Sequence, residues 1–371
     1  MARARALGIR CVSQMQLFLE LCPAAVIGIT GSSGKSTTTA LVGAMATEAG
    51  MNPIVGGNLG EALLGRLDEI RPDSTVILEI SHTQLQYTTR SPHIGAVTNV
   101  TPNHLDQFSW DEYVGLKRNL LAYQGADDIA VLNADDHTSR PFVAGVKGQL
   151  FRASIAAEPP GDGSWFEADK VRVRSGRRAR AVIHRSAIRL RGQHNLANVV
   201  MACAISAAAG LPESAMASAI AAFRGVPHRL EIVGQALGAT WVNDSIATSP
   251  DRTVAGLNSF SEPIVLLLGG REKHLPLDTL QQVARTRCRA VVCFGEAGAL
   301  FYEATRGCVS EARLTLTLAD AVEAATKLIQ PGDAVLLSPA GSSFDAYPSF
   351  EVRGQAFRDL VKALPGFEEA H

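Results

Sequence analysis

The sequence predicts an α/β protein with two open sheets, and two features of the chain support this class. Short apolar runs bounded by turn residues recur in the first part of the chain, with helix-like stretches between several of them. A second series of the same kind follows a break in the pattern near residue 225. Alternating strands and helices are typical of open sheets that helices cover. With 371 residues, 46% of them hydrophobic, the chain is long enough for two such cores.

The first series is predicted from apolar runs and helical stretches. The predicted strands are residues 25–29, 75–80, 94–100 and 129–132, and the predicted helices are residues 110–123, 195–209 and 212–223. Residues 171–190 instead alternate basic and apolar side chains, which favours antiparallel strands with one solvated face. The arginines of this stretch are therefore expected to face solvent rather than to bind nucleic acid.

The second series begins after the segment RGVPHR, residues 224–229, whose glycine and proline interrupt the pattern. Its predicted elements are strands at 240–243, 264–268, 290–294 and 334–337 and a helix at 318–329. This alternation favours an open, doubly wound α/β sheet. We therefore predict one domain over residues 24–225 and another over residues 226–371.

Composition excludes several classes of protein. Lys and Arg number 35 and Asp and Glu 36, so no global field attracts nucleic acid or anionic lipid. The apolar runs are shorter than the roughly 20 residues of a membrane span. Six cysteines without a CxxC pair argue against a zinc site or a disulfide framework and fit a reducing cytoplasm. The start MARARALGIR lacks the apolar core of a targeting peptide.

A glycine-rich turn between an apolar strand and a helix is the strongest chemical signal. It occurs in AVIGITGSSGKSTTTALVGAMA, residues 25–46, and comprises Gly31, Ser32, Ser33, Gly34, Lys35, Ser36 and Thr37. We expect the N–H groups from Gly31 to Ser36 to face phosphates, Lys35 to neutralise them, and the Ser36 hydroxyl to bind Mg²⁺. The alternative is an ordinary glycine turn with an exposed lysine. The common spacing G-x-x-x-x-G-K-[ST] fails, because Ile29 stands at its first glycine.

Two further side chains are predicted at the same sheet edge. Glu79 ends a buried strand, so its carboxylate could hold Mg²⁺ in the crevice at the carboxyl ends of the strands. His104, in a Pro-Asn-His turn, could bind metal or substrate. The alternatives are a carboxylate that caps the next turn and a histidine satisfied within its loop. Composition alone indicates that Lys117 is a solvent-exposed lysine.

Several blocks together resemble the Mur ligase family, which also includes folylpolyglutamate synthetase. They are GITGSSGKSTT, GGNLG at 56–60, LEISHTQLQ at 78–86, NVTPNHLDQF at 99–108 and GQHNLANVVMA at 192–202. The resemblance implies a central P-loop ATPase-type domain with a mixed sheet, followed by a Rossmann-like doubly wound domain. It also implies a cytoplasmic, ADP-forming ligase that joins an acid to an amino acid with ATP and Mg²⁺.

The resemblance assigns roles to individual residues. The implied catalytic residues are Lys35, Glu79, His104 and Lys117, and the implied Mg²⁺ ligands are Ser36, Glu79, His104 and Lys117. Lys117 stands where the family has a lysine that CO₂ carbamylates, which would make it an anionic ligand for a second Mg²⁺. The resemblance places Asn198 at adenine, Arg229 at the ATP phosphates, Asp244 at ribose, and Asn58 and Ser81 at substrate. Alternatively, the polar residues around Asn198 cap a helix.

The stretch LSPAGSSFDAYPSFEVRGQAF, residues 337–357, is similar to a block of the D-glutamate-adding members of the family. This similarity implies UDP-N-acetylmuramoyl-L-alanine and D-glutamate as substrates, in the peptidoglycan synthesis that supports cell shape and division. The residues implied to bind D-glutamate are Thr248, Lys273, Ser343, Phe344 and Phe350. For the two phenylalanines, core packing is an open alternative.

Two departures from the family pattern stand out. Those members commonly carry NDSKAT, whereas this chain has NDSIAT with Ile246, which cannot neutralise a carboxylate. Lys273 or an arginine such as Arg271 then takes the charge, or the acceptor differs from D-glutamate. Only about two dozen residues precede the first strand. We therefore expect residues 1–23 to be the remnant and connector of an N-terminal UDP-binding domain.

Three other functions are alternatives to a D-glutamate ligase. The first is another amino-acid ligase of the same superfamily, and the second is a truncated protein that binds ATP without forming a bond. The third, a P-loop GTPase, is disfavoured because the chain lacks an NKxD-type guanine motif. We expect a monomer with small-molecule substrates and with no nucleic-acid or membrane partner.

Overall fold

The structure is a computed structural model, and it describes residues 7, 12–57, 63–103, 105, 107–190 and 192–369. The chain divides into two compact units, Met1–Phe223 and Arg224–His371. The division falls between residues 223 and 224, whereas the predicted boundary falls between residues 225 and 226. The assignment of residues 1–23 as a domain remnant stays a prediction. Among the described residues, no helix is long and apolar enough to cross a membrane.

Unit 1 is built on a mixed sheet with nine strands among the described residues, in the order β2-β3-β1-β4-β5-β6-β7-β8-β9. The strands are β1 (Val26–Thr30), β2 (Ile54–Gly57), β3 (Val76–Glu79), β4 (Ile94–Val97), β5 (Ile129–Asn133), β6 (Gln149–Ser154), β7 (Asp162–Glu167), β8 (Lys170–Ser175) and β9 (Arg178–His184). Strands β2 to β7 pair in parallel, and β7, β8 and β9 pair antiparallel. The predicted mixed sheet and its antiparallel hairpin are therefore confirmed.

Helices cover both faces of this sheet. The helices are α1 (Gln14–Leu21), α2 (Lys35–Glu48), α3 (His82–Leu85), α4 (Trp110–Ala122), α5 (Gln193–Ala208) and α6 (Glu213–Ala222), with 3₁₀ turns at Leu63–Glu69, Arg140–Gly145 and Arg185–Ala187. One core contains Leu41 of α2, Val199 of α5 and Ile220 of α6. The other contains Phe18 of α1 and Leu120 of α4. Because both faces are covered, the central strands are continuous apolar runs, and this is why the sequence reveals them.

Three strands of unit 1 were not predicted, namely the edge strand β2 and the interior strands β6 and β7. Strand β2 ends in two glycines, and β6 and β7 mix polar with apolar residues, as QLFRAS and DGSWFE show. Their strand structure depends on pairing with neighbouring strands, which a local pattern does not report.

Unit 2 contains seven strands among the described residues, in the order β14-β13-β12-β15-β11-β10-β16. They are β10 (Glu231–Ala236), β11 (Ala239–Asn243), β12 (Ile264–Gly269), β13 (Cys288–Phe294), β14 (Glu311–Leu314), β15 (Ala334–Ala340) and β16 (Glu368–Glu369). Strands β14 to β11 pair in parallel, and β10 and β16 are antiparallel additions at one edge.

The helices of unit 2 lie on both faces of its sheet, which confirms the doubly wound prediction. They are α7 (Pro250–Leu257), α8 (Asp278–Arg287), α9 (Gly298–Thr305), α10 (Leu318–Thr326) and α11 (Phe350–Lys362). Leu257 of α7 and Phe301 of α9 belong to one core, whereas Val322 of α10 and Phe357 of α11 belong to the other. Loops at the carboxyl ends of β11, β12 and β15 therefore meet where ligands bind in such sheets.

Candidate active site

The turn between β1 and α2 has the shape that its glycines predict. Gly31 has φ +154° and Gly34 has φ +79°, a region that side chains with a Cβ rarely adopt. A Cβ on Gly31 would lie 1.9 Å from Thr98 Oγ1, and a Cβ on Gly34 would lie 2.2 Å from Asn198 Oδ1. Both glycines are therefore required by their surroundings as well as by the backbone.

The segment after β4 holds this turn in place. The Ser32 N–H donates to the Asn99 carbonyl at 2.9 Å, and the Ser33 N–H donates to Asn99 Oδ1 at 3.0 Å. Thr98 Oγ1 and Asn99 Nδ2 both donate to the Ser33 carbonyl, at 2.6 and 3.1 Å. The expectation that all N–H groups from Gly31 to Ser36 face a phosphate is wrong for Ser32 and Ser33, because both donate to Asn99. The N-terminus of α2, which begins at Lys35, has the backbone geometry that favours an anion.

Two lysines lie at the end of β1. Lys35 Nζ donates to the carbonyl oxygens of Gly31 and Ser32, at 2.9 and 3.2 Å. Lys117 Nζ donates to Thr30 Oγ1 at 3.3 Å and lies 5.3 Å from the Tyr113 ring centroid. Only 1% of Lys117 is exposed, so the composition-based expectation of a solvent-exposed lysine is wrong.

The helix that carries Lys117 explains its burial. Helix α4 begins with a capping box in which Ser109 and Glu112 satisfy each other's backbone N–H groups. Tyr113 and Lys117 are four residues apart and therefore share one face of the helix. The Tyr113 hydroxyl bonds to Ser32 Oγ at 3.0 Å, next to the Lys117 contact with Thr30. One helix face thus contacts both the strand end and the glycine-rich turn.

The pKa of Lys117 is lowered to about 7, first by burial and then by the positive charge of Lys35, while the charge of Glu79 acts in the opposite direction. Glu79 is 2% exposed and stands opposite Ile29 in the β1–β3 pairing, so it lies at the same sheet edge. The buried Lys117 and Glu79 and the half-buried Lys35 thus form a group of two amines and one carboxylate. Such a group favours an additional anion.

The remaining predicted residues of unit 1 divide into three cases. Asn198 lies beyond the first turn of α5, so it does not cap that helix, and its side chain lies against Gly34. Ser81 caps α3 in a reciprocal box with Gln84, so its hydroxyl already has a structural role. Asn58 and His104 lie outside the described residues. Among the described residues, no group of three or more His, Cys, Asp or Glu side chains could hold a metal ion.

Asp244 directly follows β11 in unit 2 and is buried. The Ser338 hydroxyl donates to Asp244 Oδ2 at 2.9 Å, and the Leu230 N–H donates to Asp244 Oδ1 at 3.2 Å. Burial raises the pKa of the Asp244 carboxyl to about 7, although the charges of Arg229 and Arg252 oppose the rise. Arg229 lies between His228 and Leu230, both with positive φ, so an irregular segment places it near this carboxyl.

The predicted acceptor residues occupy neighbouring loops of unit 2. Lys273 Nζ donates to Thr248 Oγ1 at 3.1 Å, and Ser343 is buried at 2% exposure. Phe344 is 65% exposed, so the core-packing alternative is wrong for this residue. Phe350 begins α11 and packs edge-on against His228, with ring centroids 6.4 Å apart.

Arg353 joins two of these loops, and the sequence analysis did not single it out. Its side chain is fully buried and donates to Ser245 Oγ at 3.0 Å, to the Ser245 carbonyl at 2.9 Å and to the Gly341 carbonyl at 3.1 Å. Burial lowers the pKa of Arg353 to about 10. The available signal was its position in the first turn of an amphipathic helix, on the face with Phe357.

The chain is similar to known proteins over nearly its whole length. Residues 29–206 match the Mur ligase middle domain, and residues 228–341 match the Mur ligase, glutamate ligase domain. The UDP-N-acetylmuramoylalanine--D-glutamate ligase of Symbiobacterium thermophilum is 42% identical over 97% of this chain and 80% of that protein. The enzyme of the same name from Acetivibrio thermocellus is 36% identical over 96% of this chain and 78% of that protein.

A solved structure shares the fold at low identity. The bifunctional folylpolyglutamate synthase/dihydrofolate synthase of Yersinia pestis, complexed with AMPPNP and Mn ion, aligns with a TM-score of 0.66 at 16% identity. The alignment covers 94% of this chain and 92% of that one. The matched domains, the identity to two relatives and the shared fold agree, and the chain belongs to the Mur ligase family.

Proposed function

We propose that this protein is an ATP-dependent, ADP-forming ligase that adds D-glutamate to UDP-N-acetylmuramoyl-L-alanine in peptidoglycan precursor synthesis. The observation that supports this most directly is the group formed by the half-buried Lys35 and the buried Lys117 and Glu79 beside the N-terminus of α2. Family membership and the 42% identical relative support the same reaction.

The residues of unit 1 fit a nucleoside triphosphate. The two glycines leave room that a Cβ would fill, so a phosphate can approach the backbone closely. Lys35 supplies a positive charge, and the N–H groups at the start of α2 supply donors. In unit 2, we propose that Asp244 binds the ribose and Arg229 the phosphates, and we assign the adenine contact to Asn198 in unit 1.

The same edge offers hard oxygen donors, which Mg²⁺ prefers. The buried Ser36 hydroxyl and the Glu79 carboxylate would hold the ion, with His104 as a further ligand. Bound Mg²⁺ would neutralise charge on the phosphates. We propose a second ion next to Lys117 and a carbamate on that lysine. Because its pKa is about 7, the neutral amine is available to attack CO₂, lose a proton and become an anionic ligand.

The reaction has two steps. A carboxylate oxygen of UDP-N-acetylmuramoyl-L-alanine attacks the γ-phosphorus of ATP, and ADP leaves, which produces an acyl phosphate. The amino nitrogen of D-glutamate then attacks the acyl carbon and loses a proton, and inorganic phosphate leaves with one oxygen of the original carboxylate. Phosphoryl transfer depends mainly on positioning and on charge stabilisation, which the two lysines would supply.

The acceptor would bind in unit 2. Lys273 and Thr248 already contact each other, so together they offer one cation and one hydroxyl to a carboxylate. We assign Ser343, the exposed Phe344 and Phe350 to the same acceptor, and Asn58 and Ser81 to the UDP-linked substrate. Because Ile246 carries no charge, an acidic amino acid other than D-glutamate is an alternative acceptor. A series of amino acids must therefore be tested as acceptors.

We further propose that the enzyme acts as a monomer in the cytoplasm, without a membrane or nucleic-acid partner. The described cysteines are free, which suits a reducing compartment, and ATP is available there. Sedimentation at several concentrations with and without ATP would test the monomer, because a dimer would sediment faster as concentration rises.

Phosphate release by the purified chain tests the function. The mixture contains ATP, Mg²⁺, bicarbonate, UDP-N-acetylmuramoyl-L-alanine and one of D-glutamate, L-glutamate, D-aspartate or D-alanine, and each component is omitted in turn. We expect phosphate release to require both UDP-N-acetylmuramoyl-L-alanine and D-glutamate. The amide product should be detected by mass spectrometry. Release without an amino acid, or ATP binding without product from any acceptor, would refute a ligase.

A further inference from the structure

The turn that follows Asp244 lacks the lysine that the D-glutamate-adding members commonly carry, and Ile246 stands in its place. An isoleucine offers no charge to an acidic acceptor. The turn itself is well held, because the Thr248 N–H donates to the Ile246 carbonyl at 2.8 Å and the Ala340 N–H donates to the Ala247 carbonyl at 2.9 Å. The backbone of this turn is therefore fixed, and a charged side chain from another residue can contact it.

Arg252 brings a charge to this turn from the next helix. Helix α7 begins at Pro250, so Arg252 lies in its first turn. Its guanidinium reaches back, and Nη1 donates to the Ile246 carbonyl at 3.2 Å. The positive charge of Arg252 thus lies beside Ile246, which has no charge.

Lys273 contacts the other end of the same turn. Its Nζ donates to Thr248 Oγ1 at 3.1 Å, so Arg252 and Lys273 contact residues 246 and 248 respectively. Both residues are exposed at the surface of unit 2. The pKa of Lys273 is lowered, first by the partial burial of its amine and then by the positive charges of Arg252 and Arg353. A bound carboxylate would relieve this repulsion.

Arg271, the arginine that the sequence analysis considered for this role, is engaged elsewhere. Its Nε donates to both carboxylate oxygens of Glu296, at 3.2 and 3.0 Å. Its backbone pairs with Ser342, which fixes the direction of the chain at that point. The side chain therefore contacts the β13–α9 connection rather than the turn at residues 246–248.

We propose that Arg252 determines acceptor specificity by replacing the missing lysine, so that Arg252 and Lys273 together bind a carboxylate of the acidic acceptor amino acid. This inference rests on the proposed ligase function. A guanidinium presents several donors in one plane, and a carboxylate accepts two of them at once. The two cations therefore favour an acceptor that carries a carboxylate at a distance from its reacting amine.

The test compares the parent enzyme with Arg252→Met, Arg252→Lys and the double variant Ile246→Lys/Arg252→Met. Arg271→Met is the matched control, because it removes an exposed arginine of the same unit that is paired with Glu296. The measured quantities are KM for the acceptor, KM for ATP and kcat, with D-glutamate and with its two monoamides. If the parent enzyme uses another acidic acceptor, that acceptor and its amides are used instead.

We expect Arg252→Met to raise KM for the acceptor about tenfold to a hundredfold, the effect of losing a hydrogen bond to a charged group. KM for ATP should stay within about twofold, which is small on this scale. Arg252→Lys should retain part of the affinity, and Ile246→Lys should restore it in the double variant. With the monoamide that lacks the bound carboxylate, the parent and Arg252→Met should have equal KM values.

An unchanged acceptor KM in Arg252→Met, or an equal rise of the ATP and acceptor KM values, would overturn the role of Arg252. In either case the parent activity would still stand, so the ligase function would survive. A parent enzyme that forms no bond with any acidic acceptor would refute both proposals.

Discussion

The candidate sites of the two units are built in opposite ways. In unit 1, one continuous segment supplies the glycine-rich turn and Lys35, and the neighbouring strand and helix add Glu79 and Lys117. In unit 2, the loops after β11, β12 and β15 converge, and Arg353 connects two of them through Ser245 and Gly341. A local motif therefore marks the first site, whereas contacts between distant segments make the second.

The two sites also bury charge of opposite sign. Burial lowers the pKa of Lys117 to about 7, and burial raises the pKa of Asp244 to about 7. In each case removal from water outweighs the effect of nearby charges of opposite sign, so each group destabilises its unit when charged. Such groups are typical of functional sites, where a ligand completes the charge balance.

The largest expected effects come from unit 1. Lys35→Ala or Glu79→Ala should reduce turnover at least about a thousandfold, because each removes charge that acts on the transferred phosphate. The melting temperature should stay close to that of the parent. Lys147→Ala, which removes an exposed lysine of the same unit, is the control and should retain activity. Normal turnover in Lys35→Ala would show that the glycine-rich turn is only structural.

A carbamate on Lys117 predicts a chemical rescue. Lys117→Ala should reduce turnover by about a hundredfold to a thousandfold, the range for loss of one stabilising group at an active site. Formate or acetate should restore part of the activity by replacing the carbamate oxygens. Lys117→Arg should stay inactive with either acid, because its guanidinium keeps the positive charge and fills the space.

The same residue predicts a pH dependence. Because the pKa of Lys117 is about 7, its amine is mainly neutral above that pH and mainly protonated below it. Only the neutral amine reacts with CO₂. At a fixed concentration of dissolved CO₂, the fraction of carbamylated enzyme should therefore rise between pH 6 and 8. An NMR signal from ¹³CO₂-labelled enzyme would measure it, and a fraction independent of pH would count against the carbamate.

The role of Arg353 sharpens the comparison, because it tests whether unit 2 depends on long-range contacts. Arg353→Lys keeps a charge but loses the planar arrangement that reaches Ser245 and Gly341. We expect a loss of about 2–4 kcal/mol in the free energy of unfolding, because buried acceptors lose their donors. Urea unfolding measures it, with Arg271→Met as an exposed control. Equal stability of Arg353→Lys and the parent would show that the loops hold their positions without this bridge.

The smallest expected effect is a pH dependence of stability from Asp244. Its folded pKa of about 7 lies above its ordinary value of 3.8, so the folded state keeps a proton that the unfolded chain releases between these values. Stability from this group is thus full below pH 4 and is lost as pH rises to 7. Asp244→Asn should be roughly 1–4 kcal/mol more stable than the parent at pH 8, with a smaller difference at pH 4. A difference that does not change with pH would contradict the raised pKa.

The same contrast explains how far sequence analysis reached. The buried parallel strands were predicted because each is covered on both faces and is apolar throughout, as in β1 and β12. Strands β6 and β7 were not, because their polar residues fit a sheet only after their neighbours have formed. The role of Asn99 was also not predicted, because its contacts with Ser32 and Ser33 join segments more than 60 residues apart.

The candidate site followed the same rule. Gly31, Gly34 and Lys35 were found because a glycine-rich turn stands between an apolar strand and a helix, and the structure shows why those glycines are required. Arg353 and Arg252 were missed because their importance depends on which loops they reach. The burial of Lys117 was also unexpected from composition, since it depends on how α4 packs against β1 and the glycine-rich turn.

The central claim is that the chain activates a substrate carboxylate as an acyl phosphate, and isotope transfer tests it most directly. UDP-N-acetylmuramoyl-L-alanine labelled with ¹⁸O in its alanine carboxylate is incubated with ATP, Mg²⁺, bicarbonate and D-glutamate, and the released phosphate is analysed by mass. The account predicts one ¹⁸O atom in each phosphate released, because the carboxylate oxygen leaves with it. Unlabelled phosphate would show that water attacks ATP, and it would contradict the ligase mechanism.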